Sequence, residues 1–94
     1  VDVTLLYRKA LRQADFGRLD AAESTLREVL AVAERGSAAR VRALVVLGDL
    51  LCELGRAAEA VPLLDEALAG APDVDDLLDH ELDRARALRR GHGG

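Results

Sequence analysis

Apolar residues recur at helical spacing in five stretches, each ended by a glycine turn or a proline. The first predicted helix covers Val3–Asp15, with Val3, Leu6, Tyr7, Ala10 and Ala14 on one face and Gly17 suited to a left-handed end. The second covers Leu19–Arg35. Its stripe is Leu19, Ala22, Leu26, Val29, Leu30 and Ala33, and Asp20 and Glu23 favour the dipole in its first turn. Gly36 ends it, and Ser37 is placed to cap the third helix, Ala38–Glu53. That helix carries Val41, Leu44, Val45, Leu47, Leu50 and Leu51 with little polar surface, which predicts a central position. The turn Leu54-Gly55-Arg56 leads to a fourth helix, Ala57–Ala69, stopped at Gly70-Ala71-Pro72. The fifth is predicted over Asp73–Arg90, with its acids first and its arginines last, an order that complements the helix dipole. Pro62 is the one local conflict, because a proline inside a helix removes a hydrogen bond. The stripe continues through Leu63, Leu64, Ala67 and Leu68, so a mild kink or a place near the helix start is expected instead of a break.

The five helices contain a repeat. A shift of 38 residues superposes Gly17-Arg18 on Gly55-Arg56, Ala22 on Ala60, Leu26 on Leu64, Glu28 on Glu66 and Leu30-Ala31 on Leu68-Ala69. Upstream it superposes Leu6 on Leu44, Ala10 on Gly48 and Asp15 on Glu53. Small residues recur where two helices must approach closely, and leucine recurs where the space between them must be filled. In the second unit the run is Leu44, Leu47-Gly48, Leu51, Gly55, Ala60, Leu64, Ala67 and Pro72. On these residues the chain resembles the tetratricopeptide repeat family. Leu44, Leu51 and Leu64 stand where that family often has aromatics. The first unit, with Leu6, Ala10, Gly17, Ala22 and Leu26, is degenerate, having Val29 and Glu34 in place of the later Ala and Pro. The offset exceeds the family's roughly 34 residues by about four, and the surplus falls at Glu34-Arg35-Gly36-Ser37.

The resemblance implies an all-α fold of antiparallel helix-turn-helix hairpins in a right-handed superhelix. One domain, 1–90, would hold repeat 1 (3–35), repeat 2 (38–71) and a C-terminal capping helix (73–90), followed by a flexible tail, 91–94.

Composition narrows the chemistry. The 94 residues are half apolar, and Ala and Leu dominate, while aromatic residues make up 2%. Too few aromatics are present for a base-stacking platform. The net charge of −4 gives no general support for nucleic-acid binding. No apolar run approaches the ~20 residues of a membrane span, and no signal peptide is evident, so a cytoplasmic protein is expected. Twelve arginines against one lysine point to a GC-rich bacterial source.

No nucleophile, base and orienting group share a recognisable motif, so the chain is not expected to be an enzyme. His80-Glu81-Leu82-Asp83-Arg84 has Arg84 where a zinc-protease helix needs its second histidine. Asp76 and His80 offer only two ligands at helical spacing, and Asp73–Asp83 lacks the glycine of a calcium loop, so no metal or other cofactor is expected. Cys52 is expected to be a small core residue.

What remains is a surface. In the resembling family the first helix of each hairpin lines a concave groove. By position this implies Tyr7, Leu11 and Ala14 from the first helix and Arg42, Val45, Asp49, Cys52 and Glu53 from the third. The fifth would add Asp76, Asp79, His80, Asp83 and Arg86. The mixture is apolar and acidic, which favours a protein or peptide partner that is basic or an amphipathic helix. The alternative is an oligomerisation or spacer domain of a larger bacterial regulator. With two repeats and a cap, the flank of the first helix is expected to be uncovered, since Val3, Leu6 and Ala10 cannot all face the second helix. It would then belong to a homodimer contact or to a longer array.

Overall fold

The structure, a computed structural model, describes residues 2–69 and 84–88. Among these residues the chain forms α1 (Val3–Asp15), α2 (Leu19–Val32), α3 (Ala38–Glu53) and α4 (Ala57–Ala69), together with a helical segment at 84–88. The expected boundaries of the first, third and fourth helices hold. Of the fifth, only 84–88 falls within the described residues, and 73–83, 89 and 90 lie outside them, as does the tail.

Two of the helix starts, those of α1 and α3, have a side-chain cap. The Asp2 carboxylate accepts hydrogen bonds from the Thr4 and Leu5 amides at 2.9 and 3.3 Å, capping α1. Ser37 Oγ accepts from the Arg40 amide at 3.2 Å, capping α3 as its position predicts. The two hairpin turns share one geometry. Gly17 and Gly55 both have φ +77°, a region open mainly to glycine. The amides of Gly17 and Arg18 bond the carbonyls of Ala14 and Gln13, and those of Gly55 and Arg56 bond Cys52 and Leu51. The recurrent Gly-Arg pair is therefore the same helix-ending motif used twice.

α2 stops three residues earlier than its apolar stripe implies. Ala33 turns extended at ψ 138° after its amide bonds the Val29 carbonyl. The chain then reverses over Glu34–Ser37, where the Ser37 amide bonds the Glu34 carbonyl at 3.1 Å. Ala33 still packs against the core, so the apolar signal is genuine although the helix has ended. The break withdraws the Glu34 amide that would have bonded the Leu30 carbonyl. Arg40 Nη1, from α3, donates to that carbonyl instead at 2.7 Å.

Sequential helices pack as antiparallel pairs, α1 on α2 and α3 on α4, and α3 also lies against α2 and α1. α3 is central, with Val41, Ala43, Leu44, Val45, Leu47, Gly48, Leu50 and Leu51 all buried. Its side at Gly48 meets α4: a Cβ built on Gly48 would stand 2.7 Å from a methyl of Leu64, itself fully buried. The first hairpin is more polar inside. Buried Thr25 places its hydroxyl 2.7 Å from Gln13 Oε1 and 3.0 Å from the Ala21 carbonyl oxygen. By the 38-residue offset these two positions correspond to Leu63 and Leu51, so a polar contact stands in the degenerate unit where leucines stand in the second.

α4 runs unbroken through Pro62, which is exposed. The missing amide leaves the carbonyl of exposed Ala58 to water, and the helix absorbs this cost. Pro62→Ala is therefore expected to stabilise the chain by about 1–2 kcal/mol, the propensity gain of up to ~3 kcal/mol being offset by a freer unfolded chain. A rise in the urea midpoint at unchanged slope would register it.

Candidate interaction surface

The first helices of the two hairpins carry most of the residues implied for the groove. Tyr7, Leu11 and Ala14 of α1 are half-buried, as are Arg42, Asp49 and Cys52 of α3, and Glu53 is exposed. Tyr7, Ala14 and Cys52 pack against the core with part of their surface. Val45 is only 4% exposed, so it serves as core or floor and is not an open contact. Asp76, Asp79, His80 and Asp83 lie outside the described residues, and Arg86 is exposed.

The segment 84–88 comes back onto α3. Arg84 Nη2 reaches Asp49 Oδ1 at 3.0 Å, Ala85 is fully buried and Leu88 packs against the core. Asp49 is thus engaged by the chain's own cation, which tempers the acidity expected of this face. The Cys52 thiol is pushed up by burial first and by the nearby Asp49 charge second, with Arg84 opposing. A thiol held protonated in this way is a poor nucleophile, in keeping with a packing role.

Two arginines hold the hairpins to one another. Arg40 of α3 grips Glu66 of α4 with two nitrogens, Nε on Oε2 and Nη2 on Oε1, the latter at 3.0 Å, while also bonding the α2 carbonyl. Its side chain is 14% exposed. Arg56, in the α3–α4 turn, reaches back to α2, where Nη1 and Nη2 meet the two Glu23 oxygens at 2.8 and 3.0 Å. It also holds Glu59 at 2.5 and 2.8 Å, and Arg27 adds a further contact to Glu23. The sequence signal for Arg56 was present in the recurrent Gly-Arg pair. Its partner 33 residues away was not visible, since no local spacing encodes it.

These contacts set a pH dependence. Hydrogen bonding from Arg40 holds Glu66 below the usual carboxylate range, and hydrogen bonding from Arg56 does the same for Glu23 and Glu59. The folded chain therefore binds protons at these groups less readily than the unfolded chain. Their contribution is complete above the ordinary carboxylate pKa of ~4.3 and is lost as pH falls through the lowered folded values. Urea midpoints should be flat from neutral pH down to about pH 5 and drop below it. Glu66→Gln should lower the neutral midpoint and shallow the acid drop.

A cleft of about 220 Å³ opens between Arg35, Gly36, Arg40, Val41, Leu44, Glu66 and Ala69. It is smaller than the ~300–1,000 Å³ typical of small-molecule sites. Its half-buried cation and carboxylate, Arg40 and Glu66, already bind each other. Among the described residues no three metal-ligating side chains converge, and no helix is long and apolar enough to cross a membrane.

Two successive antiparallel hairpins, each closed by a like Gly turn and the second interlocked where Gly48 faces Leu64, define a helical-hairpin repeat protein. The sequence profile of the tetratricopeptide repeat family matches residues 3–73. The chain belongs to that family, whose domains are generally protein–protein interaction scaffolds without catalysis. No curated protein and no solved structure gives a significant match.

Proposed function

We propose that the chain binds a peptide or helical segment of another protein along the first-helix face of its hairpins, and that it carries no catalytic activity of its own. The observation that supports this reading is the half-buried series Tyr7, Leu11, Ala14 and Arg42, spread over the first helices of both hairpins. Leu11 offers apolar surface, and Glu53 offers an exposed carboxylate at the far end of α3. Asp76, Asp79 and Asp83 extend the acidic character by sequence, and together these groups suit a basic or amphipathic helix. Retention of a specific protein partner by the immobilised chain, lost with Leu11→Glu and with Glu53→Lys, is the expected result. Equal retention by both variants refutes the groove.

A second reading has its own support. Arg84 ties the segment 84–88 to Asp49 of α3, as a spacer domain that fills its own groove would. Under this reading Arg84→Ala leaves partner capture absent, whereas a binding module with a partly occluded groove gains affinity.

A further inference from the structure

The outer face of α1 repeats, in altered chemistry, the face by which α3 joins the first hairpin. α3 turns its Gly48 side to Leu64 of α4. Its other packing neighbours among the helices are α2 and α1. Ala43, Leu47 and Leu50, all buried, and Leu54, half-buried, form a side of α3 turned about 130° around the helix from Gly48, away from the α4 contact and toward the room those neighbours occupy. Moved back by 38 residues, these four positions become Leu5, Lys9, Arg12 and Phe16. All four are exposed, Leu5 by 60% and Phe16 by 76%. The same shift takes Arg56, which clasps Glu23 across the hairpin junction, to Arg18, which is exposed.

We propose that this outer face of α1 is a second docking surface, distinct from the groove, and that it takes an acidic amphipathic helix from another protein. Leu5, Arg8, Lys9, Arg12 and Phe16 occupy an arc of about 100° on the helix, over a length of about 17 Å. Two apolar anchors thus flank three cations on a chain whose net charge is −4. Charge selects the occupant. A symmetric contact with a second copy would set Arg8, Lys9 and Arg12 against their own counterparts, and like charges repel. A permanently stacked hairpin of the same polypeptide would call for apolar residues, such as the Leu47 and Leu50 of the existing junction, since permanent interfaces are the more hydrophobic ones. An exchanging helix with two apolar side chains eleven residues apart, and carboxylates between them, matches both the anchors and the cations. A further carboxylate beyond the Phe16 end would meet Arg18 as Glu23 meets Arg56.

The probe is a synthetic alanine-based helical peptide with two leucines eleven residues apart and three glutamates on the same face between them. It is titrated into the full chain and followed by amide chemical shifts. The expected result is saturable shifts along α1 and at Gly17 and Arg18, and a Kd raised at least tenfold by K9E/R12E, whose positions are exposed and leave the fold intact. Leu11→Glu separates this surface from the groove, because it removes groove binding under the reading above and leaves this Kd within twofold. The proposal is overturned by the absence of shifts at about 1 mM peptide, by an unchanged Kd in K9E/R12E, or by equal binding of a peptide with lysine in place of glutamate. It is also overturned by a dimer of the chain in sedimentation that Leu5→Glu abolishes, which would assign the face to a second copy.

Discussion

Leu64→Ala is expected to lower the unfolding free energy by about 2–5 kcal/mol, the cost of deleting a fully buried leucine without collapse of the space. Collapse is hindered on the α3 side, because Gly48 has no side chain to move into the gap. For a domain with a net stability on the order of 5–15 kcal/mol this is a large fraction of the whole. The interlock also predicts non-additivity. Gly48→Ala alone gains helix propensity but drives its Cβ into Leu64, whose fully buried methyls have little room to yield. With Leu64 already cut to Ala, the new methyl fills part of the cavity. The double variant should then be more stable than Leu64→Ala alone. Urea unfolding of the four species in a double-mutant cycle measures the coupling, and strict additivity would show that the two positions do not touch.

Arg40→Ala has the second largest expected effect, a loss of about 2–3 kcal/mol. The side chain is largely withdrawn from water and serves three elements. Truncation strands the Glu66 carboxylate on α4 and the Leu30 carbonyl at the end of α2. Arg40→Lys is expected to recover only part of the loss, because an ammonium cannot present two parallel donors to the carboxylate and a third to the carbonyl. Amide exchange should localise the damage at the junction of α2 and α3. Uniform loosening of all four helices at equal global stability would contradict this assignment.

How far the structure was legible from the residues depended on the range of the interaction. Gly17, Gly55 and Ser37 act on their immediate neighbours, and the ends of α1 and α3 and the start of α3 were readable. The repeat supplied the pairing of helices, because small residues and leucines recur at the offset that brings them face to face. The end of α2 was not readable, since Ala33 continues the apolar stripe and packs on the core after the helix has stopped. The Arg40–Glu66 and Arg56–Glu23 contacts join residues 26 and 33 apart, a distance over which no periodicity is informative. In the candidate groove, helix position alone marked Val45 as an open contact and Asp49 as a free acid. Burial of the first and the Arg84 partner of the second depend on segments meeting in space.

The bond from Arg40 to the Leu30 carbonyl also bears on the order in which the chain assembles. The last turn of α2 lacks its usual amide donor and is completed by a side chain that arrives only when α3 has formed and docked. During synthesis from the N-terminus, the first hairpin would emerge with this end open and frayed. It would close when the start of α3 follows, and be locked once Glu66 fixes the guanidinium. The two hairpins are thus unequal partners in time: the earlier one waits on the later for its final hydrogen bond.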